Sequence, residues 1–544
     1  MRTDSGIFRG IDPTVTLISK ILIIGFVITC GVLADKAGAL FSEISTDILH
    51  HFKWFYLAMA SGILVFLIYL MLSRFGNIRL GKDNEKPEFS LGSWLSMLFS
   101  AGMGIGLLFW SVAEPMWHYA GNPFSETSLS EESAQTAMRV SFFHWGLHPW
   151  ALYIMTALGL AYFSYRKGKP LTIRSALIPL FGEQRLNGWL GHFVDILIVA
   201  ITAFGIATSF GLGVVQMSTG MEKLFGIEVS ITNQIIMITV ISLIAIMSVM
   251  SGVGRGIRLL SVWNMVLSLV ILAGVLLFGP TRYILHTYLE GTADYAQNII
   301  GLSLWSDAQK DSQWQNWWTA FYWAWWLTWA PFVGMFIARV SRGRTIRELV
   351  GGALLAPTLF GFFWIASFGG AALKYEHDDR AAHQAQVETQ QLTDDAAKFE
   401  GGAILTATKA DSTQAIFTLF DKIEEHSGAN VSTVLSALAT LLLVTYFVTS
   451  ADSGTLVLCT LSSRGSLEPP QASRVIWGIM VGAIAAGLLW AGGLKTVQTA
   501  TICAALPAAM LVILMALSIQ RALRDEPIAQ LHRVAEEDAT TAAV

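Results

Sequence analysis

The sequence predicts an all-α integral membrane protein with twelve transmembrane helices, and three observations carry that prediction. Of the 544 residues, 53% are hydrophobic, and the mean hydropathy is +0.54. Only 14% of the residues are charged, whereas soluble proteins carry roughly 25%. Twelve apolar runs are each long enough to cross a bilayer. A net charge of −4 gives no sign of a nucleic-acid partner. The three cysteines lie in or beside apolar segments and predict neither a disulfide nor a zinc cluster.

Each apolar run holds about 20 residues, which at about 1.5 Å per residue spans the hydrocarbon core. The predicted spans are 15–34, 54–73, 93–113, 140–163, 193–218, 231–250, 260–279, 317–338, 350–372, 432–457, 474–493 and 500–519. Arginine and lysine collect in alternate connections. By the positive-inside rule, those connections and both termini are expected to face the cytoplasm.

Spans three to seven and eight to twelve form two sets of five. Because an odd number of crossings inverts the second set, the order predicts two inverted repeats, a transporter arrangement whose repeats begin with a helix broken near mid-membrane. Gly102, Gly104 and Gly106 predict such a break in span three, and Pro331 with Gly334 predicts one in span eight. For the glycines, close packing of two helices is the alternative.

The predicted divisions of the chain follow from these spans and from the charge of the loops. They are a cytoplasmic N-terminus (1–14), two peripheral helices with a loop (15–92), the first repeat (93–280), an interfacial helix (281–302), the second repeat (303–520) and a short cytoplasmic tail (521–544). Within the second repeat, the acidic segment 373–430 predicts a solvated extracytoplasmic insertion, helical from Ser412 to Ile423.

Span eight is rich in aromatic residues. It has 22 uncharged residues, and Trp318, Tyr322, Trp325 and Trp329 recur at i, i+4, i+7 and i+11, on one helical face that Trp326 widens. Tryptophan normally collects at membrane interfaces, not at mid-depth. A buried quaternary ammonium is held by ring faces, each worth about 0.5–2 kcal/mol. The spacing therefore favours a ligand box, and helix-to-helix packing of the rings is the alternative.

Two further segments carry polar side chains inside the membrane. His144 and His148 stand at i and i+4, but no third ligand is spaced near them, so we expect hydrogen bonds between helices instead of a metal. Thr449 and Ser450 offer the hard oxygen ligands that sodium prefers, although such hydroxyls can also bond back to their own helix. Asp452 is expected to anchor a helix end in preference to carrying a proton.

The stretch FYWAWWLTWAPFVGMFIARVSRGRTIRE closely resembles the signature segment of the betaine/choline/carnitine transporter family, and the likeness extends from about Ile21 to Leu517. Sodium-coupled betaine symporters are the most similar members. The resemblance implies a LeuT-like fold of two inverted five-helix repeats preceded by two extra helices. It also implies a bacterial inner-membrane location, contact with membrane lipid, a homotrimer and no cofactor besides the coupling ion.

The resemblance also implies the site residues. The substrate site comprises Trp145, Trp150, Tyr153, Trp325, Trp326, Trp329, Gly102, Met103, Gly104 and Gly106, with the glycine stretch and Met103 reading a carboxylate. The sodium site comprises the carbonyls of Ser100, Met103 and Tyr446 and the hydroxyls of Thr449 and Ser450. A second ion position is implied at Thr202 and Phe332, but Ile206 replaces one of its two threonines.

Three positions bear on substrate and coupling. Choline-selective relatives carry an acidic residue where this chain has Gly106, and sodium-independent exchangers carry arginine and methionine where it has Asn264 and Val333. We therefore expect sodium symport of a quaternary-ammonium zwitterion, glycine betaine first. The alternatives are proton-coupled choline uptake and a carnitine, ectoine or dimethylsulfoniopropionate carrier. An enzyme is disfavoured because ionisable mid-membrane residues are few and scattered, and a sensor because the soluble parts are short.

Overall fold

The computed structural model describes residues 10–102, 104–251, 256–390, 398–466 and 468–526, without the side chains at 99–102, 249–251 and 256–259. These residues form helices and no named strand; one isolated bridge pairs Arg79 with Thr345. Nine helical segments of the described chain are long and apolar enough to cross a membrane. The all-α prediction is therefore confirmed.

The first half of the chain contains twelve α-helices. They are α1 (Pro13–Val32), α2 (Ala34–Leu72), α3 (Leu91–Gly102), α4 (Ile105–Ala120), α5 (Glu131–Trp145), α6 (Leu147–Ala161), α7 (Ile173–Ala176), α8 (Ile178–Phe181), α9 (Glu183–Asn187), α10 (Trp189–Phe225), α11 (Ile231–Ser251) and α12 (Gly256–Phe278). A 3-10 turn, Arg74–Asn77, follows α2, and a π-helical turn, Tyr162–Arg166, follows α6.

The second half contains ten. They are α13 (Thr281–Leu304), α14 (Gln313–Gln315), α15 (Phe321–Val340), α16 (Ile346–Ile365), α17 (Ala371–Gln390), α18 (Ala403–Ala410), α19 (Ala415–Ser427), α20 (Ser432–Ser462), α21 (Gln471–Trp490) and α22 (Gly493–Arg524). π-helical turns at Asn316–Ala320 and Ala366–Gly370 lead into α15 and α17, and a 3-10 turn, Ser412–Gln414, precedes α19. The three predicted spans that are not among the nine apolar segments correspond to α3–α4, α5–α6 and α15.

Span three is interrupted where the glycines predict. Helix α3 ends at Gly102 and α4 begins at Ile105, and Gly104 between them has extended backbone with φ −164° and ψ −178°. Met103 lies outside the described residues. The first N–H groups of α4 therefore have no preceding helical turn to bond.

Span four was predicted as one helix from 140 to 163, and that is wrong. The chain breaks at Gly146, between α5 and α6. Pro149, in the first turn of α6, has no N–H to donate. The Leu147 N–H, at the start of the same helix, donates to the Tyr295 hydroxyl at 3.2 Å. A Cβ on Gly146 would lie 2.6 Å from the Phe142 carbonyl oxygen, so only glycine fits this turn.

The break predicted at Pro331 and Gly334 is also wrong, because α15 runs without interruption through both residues. Neighbouring helices approach α15 closely on either side of Pro331. A Cβ on Gly334 would lie 2.7 Å from the Thr156 Cβ on α6, and a Cβ on Gly205 of α10 would lie 2.7 Å from the Thr328 carbonyl oxygen. Packing on both sides thus compensates for the missing proline N–H.

The segment expected at the interface is a helix, α13, and the acidic insertion is more helical than expected, since it includes most of α17 and all of α18 and α19. Its membrane depth stays a prediction. The buried Glu376 of α17 accepts hydrogen bonds from the N–H groups of Gly402 (2.7 Å) and Leu405 (2.9 Å). A carboxylate at the N-terminus of α18 satisfies free amides there and fixes the insertion to the helical core.

The chain leaves α22 through a buried ion cluster. Glu526 accepts hydrogen bonds from Arg166 (2.9 Å and 3.0 Å) and the Tyr162 hydroxyl (2.6 Å), and pairs with Lys167 at 2.7 Å. Although burial alone would raise the pKa of this carboxyl, the hydrogen bonds from Arg166, Lys167 and Tyr162 lower it from 4.5 to about 2. The cluster ties the end of α22 to the π-helical turn after α6.

We expect Glu526→Gln to lower the free energy of unfolding by about 1.5–3 kcal/mol at pH 7, the range for hydrogen bonds to charged groups. Because the folded-state pKa lies below the unfolded one, the stabilisation is complete above about pH 4.5 and is lost as the pH falls toward about 2. Thermal unfolding in detergent should show the gap between wild type and variant narrowing over that window. Asp525→Asn, at an exposed neighbour, should show no gap at either pH.

Candidate functional site

A cavity of about 590 Å³ lies between α12, α15 and α20. Along α15 its lining runs from Trp329 at one end to Arg339 and, just past the helix, Arg342 at the other. Gly104 also lines it. The cavity therefore connects the break in span three with the arginine-rich loop after α15.

Gly104 brings main chain to the cavity surface. A Cβ placed on this residue would meet nothing within 4 Å, so the backbone is open to approach. It directly precedes α4, whose first N–H groups and positive dipole end favour an anion such as a carboxylate. Gly102 ends α3, and its surroundings are outside the described structure.

Aromatic rings predicted from the sequence come together where α15 packs along α6. Trp325 and Trp326 are stacked with centroids 4.8 Å apart, and Trp145 meets Trp326 edge-on at 4.9 Å. Tyr153 lies 6.2 Å from Trp326, and Trp150 lies 5.6 Å from Tyr153. We call these five residues the aromatic cluster. Its rings contact one another and are largely buried, so the aromatic cluster is closed.

The cluster packs directly on the start of α4. A Cβ on Gly106 would lie 2.4 Å from Trp325 Cη2 and 3.3 Å from Trp145 Cη2. The Trp325 indole N–H is buried and has no hydrogen-bond partner among the described residues, whereas those of Trp145 and Trp326 donate to Glu114 and to the His144 carbonyl. Gly106 is thus the residue that lets the rings reach the helix break.

Trp329 lies apart from this cluster. It is half-buried, lines the cavity and meets Phe332 edge-on at 5.4 Å. Its indole N–H donates to the Gly205 carbonyl oxygen at 2.7 Å, which links α15 to α10. Of the aromatic residues predicted to bind substrate, Trp329 is the one that lines the cavity in this conformation.

Four of the residues predicted to hold sodium line the cavity: Tyr446, Thr449, Ser450 and Phe332. The Thr449 hydroxyl donates to the carbonyl oxygens of Thr445 (3.0 Å) and Tyr446 (3.2 Å) and accepts from Asn264 Nδ2 at 2.9 Å. Ser100 lies in α3 without a described side chain, and Met103 is outside the described residues. The hydroxyl-rich part of the predicted site therefore faces the cavity beside Gly104.

Thr202 is not brought to this cavity. Its hydroxyl donates to the Ile198 carbonyl within α10 at 2.7 Å. Ile206, one turn further on, fills the space against Gly454, where a Cβ would lie 2.6 Å from Ile206 Cδ1. The residue that replaces the expected second threonine therefore serves packing between α10 and α20.

Asp452 was expected at a helix end, and that is wrong, because it lies within α20. Its Oδ2 accepts a hydrogen bond from Ser248 of α11 at 2.7 Å, and its side chain is buried toward α11 and not in the cavity. The helix continues past it because the aspartate bonds to a neighbouring helix and not to the backbone of α20.

The two histidines of span four form the expected hydrogen bonds. His148 Nε2 lies 3.1 Å from Ser303 Oγ, and His144 Nε2 lies 2.9 Å from Thr319 Oγ1. His144 Nδ1 also lies 2.6 Å from Glu114 Oε1, and His118 approaches the same oxygen. Sequence reasoning missed Glu114 and His118; an acid directly after an apolar span, four residues before a histidine, was the available signal.

Comparison with known proteins gives a consistent result. A model of the BCCT, betaine/carnitine/choline family transporter, matches residues 14–528. The chain is 41% identical to the glycine betaine transporter OpuD of Bacillus subtilis over 87% of each chain. It is 39% identical to a "Probable glycine betaine transporter" of Desulfitobacterium hafniense, over 95% of this chain and 99% of that one. It is also 39% identical to an ectoine/hydroxyectoine transporter of Virgibacillus pantothenticus, over 94% and 97%.

The family model matches nearly the whole chain. The two glycine betaine transporters named above are about 40% identical to it, and their alignments cover most of both chains. This agrees with an all-helical membrane fold and with an aromatic cluster beside a broken helix. The chain is a transporter, not an enzyme, and it belongs to the betaine/carnitine/choline transporter family.

Proposed function

We propose that this protein imports a quaternary-ammonium zwitterion, glycine betaine first, by sodium symport. The observation that carries the proposal is the packing of Trp325, Trp326 and Trp145 against Gly106 at the start of α4. Ring faces hold a methylated ammonium group, which neither donates nor accepts hydrogen bonds. Free N–H groups at the helix start hold the carboxylate at the other end of the same small molecule.

The proposed orientation in the membrane rests on the cavity. Its lining ends at Arg339 and Arg342, in the loop that the positive-inside rule assigns to the cytoplasm. The conformation is then inward-facing, and the aromatic cluster does not line the cavity. Both termini face the cytoplasm in this orientation, and we propose a homotrimer in the bacterial inner membrane.

Sodium is the proposed coupling ion because Thr449, Ser450 and the carbonyl of Tyr446 place hard oxygen atoms at the cavity wall. Asn264 adds an amide there, and its Oδ1 is buried without a partner in the described chain. None of these groups carries a charge. A monovalent cation is therefore the ion they suit, and its release into the inward-facing cavity needs no helix to move aside.

Uptake into proteoliposomes tests the proposal directly. An inward sodium gradient should drive accumulation of labelled betaine, and a potassium gradient of the same size should not. Competition with unlabelled betaine, choline, carnitine, ectoine and dimethylsulfoniopropionate ranks the substrates. Accumulation that follows a pH gradient without sodium, with choline as the best competitor, would support proton-coupled choline uptake instead. The ectoine/hydroxyectoine relative makes ectoine the strongest other zwitterion.

Thr449→Val tests the ion site. The change keeps the side-chain shape but removes the hydroxyl, and we expect the sodium concentration for half-maximal uptake to rise about tenfold, equal to about 1.4 kcal/mol. Thr445→Val is the matched control, since this hydroxyl bonds back to Leu441 and Leu442 and does not line the cavity. A similar sodium dependence in both variants would move the ion away from Thr449.

A further inference from the structure

A buried polar cluster lies outside the cavity, where α4, α5 and α15 meet. Glu114, His118 and His144 are each 0% exposed. Glu114 Oε1 lies 2.6 Å from His144 Nδ1 and 3.3 Å from His118 Nε2. Its Oε2 accepts from Trp145 Nε1 at 2.8 Å and from the Tyr322 hydroxyl at 2.5 Å. Two protein donors therefore occupy each oxygen of the carboxylate.

We propose that the Glu114–His118 pair is a proton-binding site, in which His118 takes up one proton and becomes an imidazolium. The net charge of the buried cluster supports this assignment. With both imidazoles neutral, the buried cluster carries one negative charge, and within the described part of the chain no lysine or arginine forms an ion pair with Glu114. Uncompensated charge in a protein interior is costly, so one added positive charge is favoured.

The surroundings of His118 select it as the group that accepts the proton. Its Nδ1 is buried and has no hydrogen-bond partner within the part of the chain that the structure describes, so a site for a proton is free there when Nε2–H donates to Glu114. The rings of Trp318 and Trp314 lie with centroids 4.5 Å and 5.2 Å from the imidazole. An indole ring at this distance stabilises a cation that lies over its face.

The other titratable groups around the pair are few. The groups that act on His118 are Glu114 on its own helix and His144 on α5. Tyr322 of α15 faces Glu114, and His148 of α6 faces His144. On the side of α17–α19, Glu376 is occupied with amides of the α18 start. The titratable groups that face the pair from the surrounding helices are therefore His144 and Tyr322.

A metal ion fits these residues less well. Tetrahedral zinc ligands at about 2.0–2.1 Å from the ion lie about 3.3 Å apart, whereas His144 Nδ1 and Glu114 Oε1 are 2.6 Å apart, a hydrogen-bond distance. All oxygen positions of Glu114 are already used by protein donors. A proton is the cation that this geometry accepts without rearrangement.

Proton binding can be measured without transport. Purified full-length protein in detergent is titrated between about pH 5 and pH 8, the range in which histidine changes charge. We expect His118→Gln and Glu114→Gln each to bind one proton fewer than wild type. His148→Gln is the matched control, because His148 is equally buried but faces Ser303 and no carboxylate, and its curve should coincide with that of wild type. A His118→Gln curve that coincides with wild type would overturn the proposal.

A second measurement, on wild-type protein, tests the site even if the variants do not fold. In wild-type protein with 15N-labelled histidine side chains, one imidazole shielded from solvent should change protonation over the same range, and the absence of such a signal would overturn the site. In proteoliposomes, sodium-driven uptake should depend on external pH in wild type and His148→Gln and lose that dependence in His118→Gln. Only the uptake measurement depends on the proposed function. If wild type and both variants show no uptake, betaine symport is rejected and the titration result still stands.

Discussion

Trp329→Leu is expected to reduce sodium-driven betaine uptake at least tenfold. This indole is the predicted substrate ring that lines the cavity, and its N–H ties α15 to the Gly205 carbonyl. Loss of one desolvated ring face costs about 1–2 kcal/mol, equal to roughly fivefold to thirtyfold in affinity. Loss of the hydrogen bond adds about 1 kcal/mol. Initial uptake rates and the KM for betaine in proteoliposomes measure the effect.

Two further variants separate the ring from the hydrogen bond. Trp329→Phe keeps an aromatic face without an N–H, so we expect uptake between those of wild type and Trp329→Leu. Trp490→Leu makes the same change at a residue that is 53% exposed at the end of α21, and uptake should stay within about twofold of wild type. Unchanged uptake in Trp329→Leu would remove this residue from the binding site.

Hydrophobic length and periodicity were sufficient to predict the helices, because each span must bury its backbone hydrogen bonds within itself. The ends and breaks depend on tertiary contacts and were harder to predict. The glycines around 104 do interrupt span three. Pro331 does not interrupt α15, since α6 and α10 pack closely against both sides of it, and a single sequence contains no record of those contacts.

The spacing of the tryptophans predicted the aromatic face of α15, but it did not predict what each ring contacts. Periodicity places Trp325, Trp326 and Trp329 on one side of a helix, and it cannot distinguish rings that touch each other from a ring that lines a cavity. The cluster around Glu114 was not foreseen. His144 reaches this acid across 30 positions of sequence because α5 packs against α4, a tertiary contact that hydrophobic periodicity does not show.

Gly106→Ala is expected to reduce betaine uptake at least tenfold and to lower the thermal stability of the protein. The added methyl would lie 2.4 Å from Trp325 Cη2 and 3.1 Å from Cζ2. Trp325 cannot move away easily, since it is 1% exposed and stacked between Phe321 and Trp326. Overpacking of this kind costs about 1–3 kcal/mol, and the displaced ring belongs to the proposed substrate box.

The control for the methyl group itself is Gly25→Ala, also within a transmembrane helix, where a Cβ would meet nothing within 4 Å. There the higher helix propensity of alanine should leave stability unchanged or slightly higher. Combining Gly106→Ala with Trp325→Phe makes room for the methyl, so the double variant should be more thermally stable than the sum of the two single changes predicts. Its uptake should remain low, because the indole face is gone. Recovery of stability without recovery of uptake would separate the packing role of Gly106 from the ligand role of Trp325. Additive losses of stability would show that the two residues do not contact each other in the membrane.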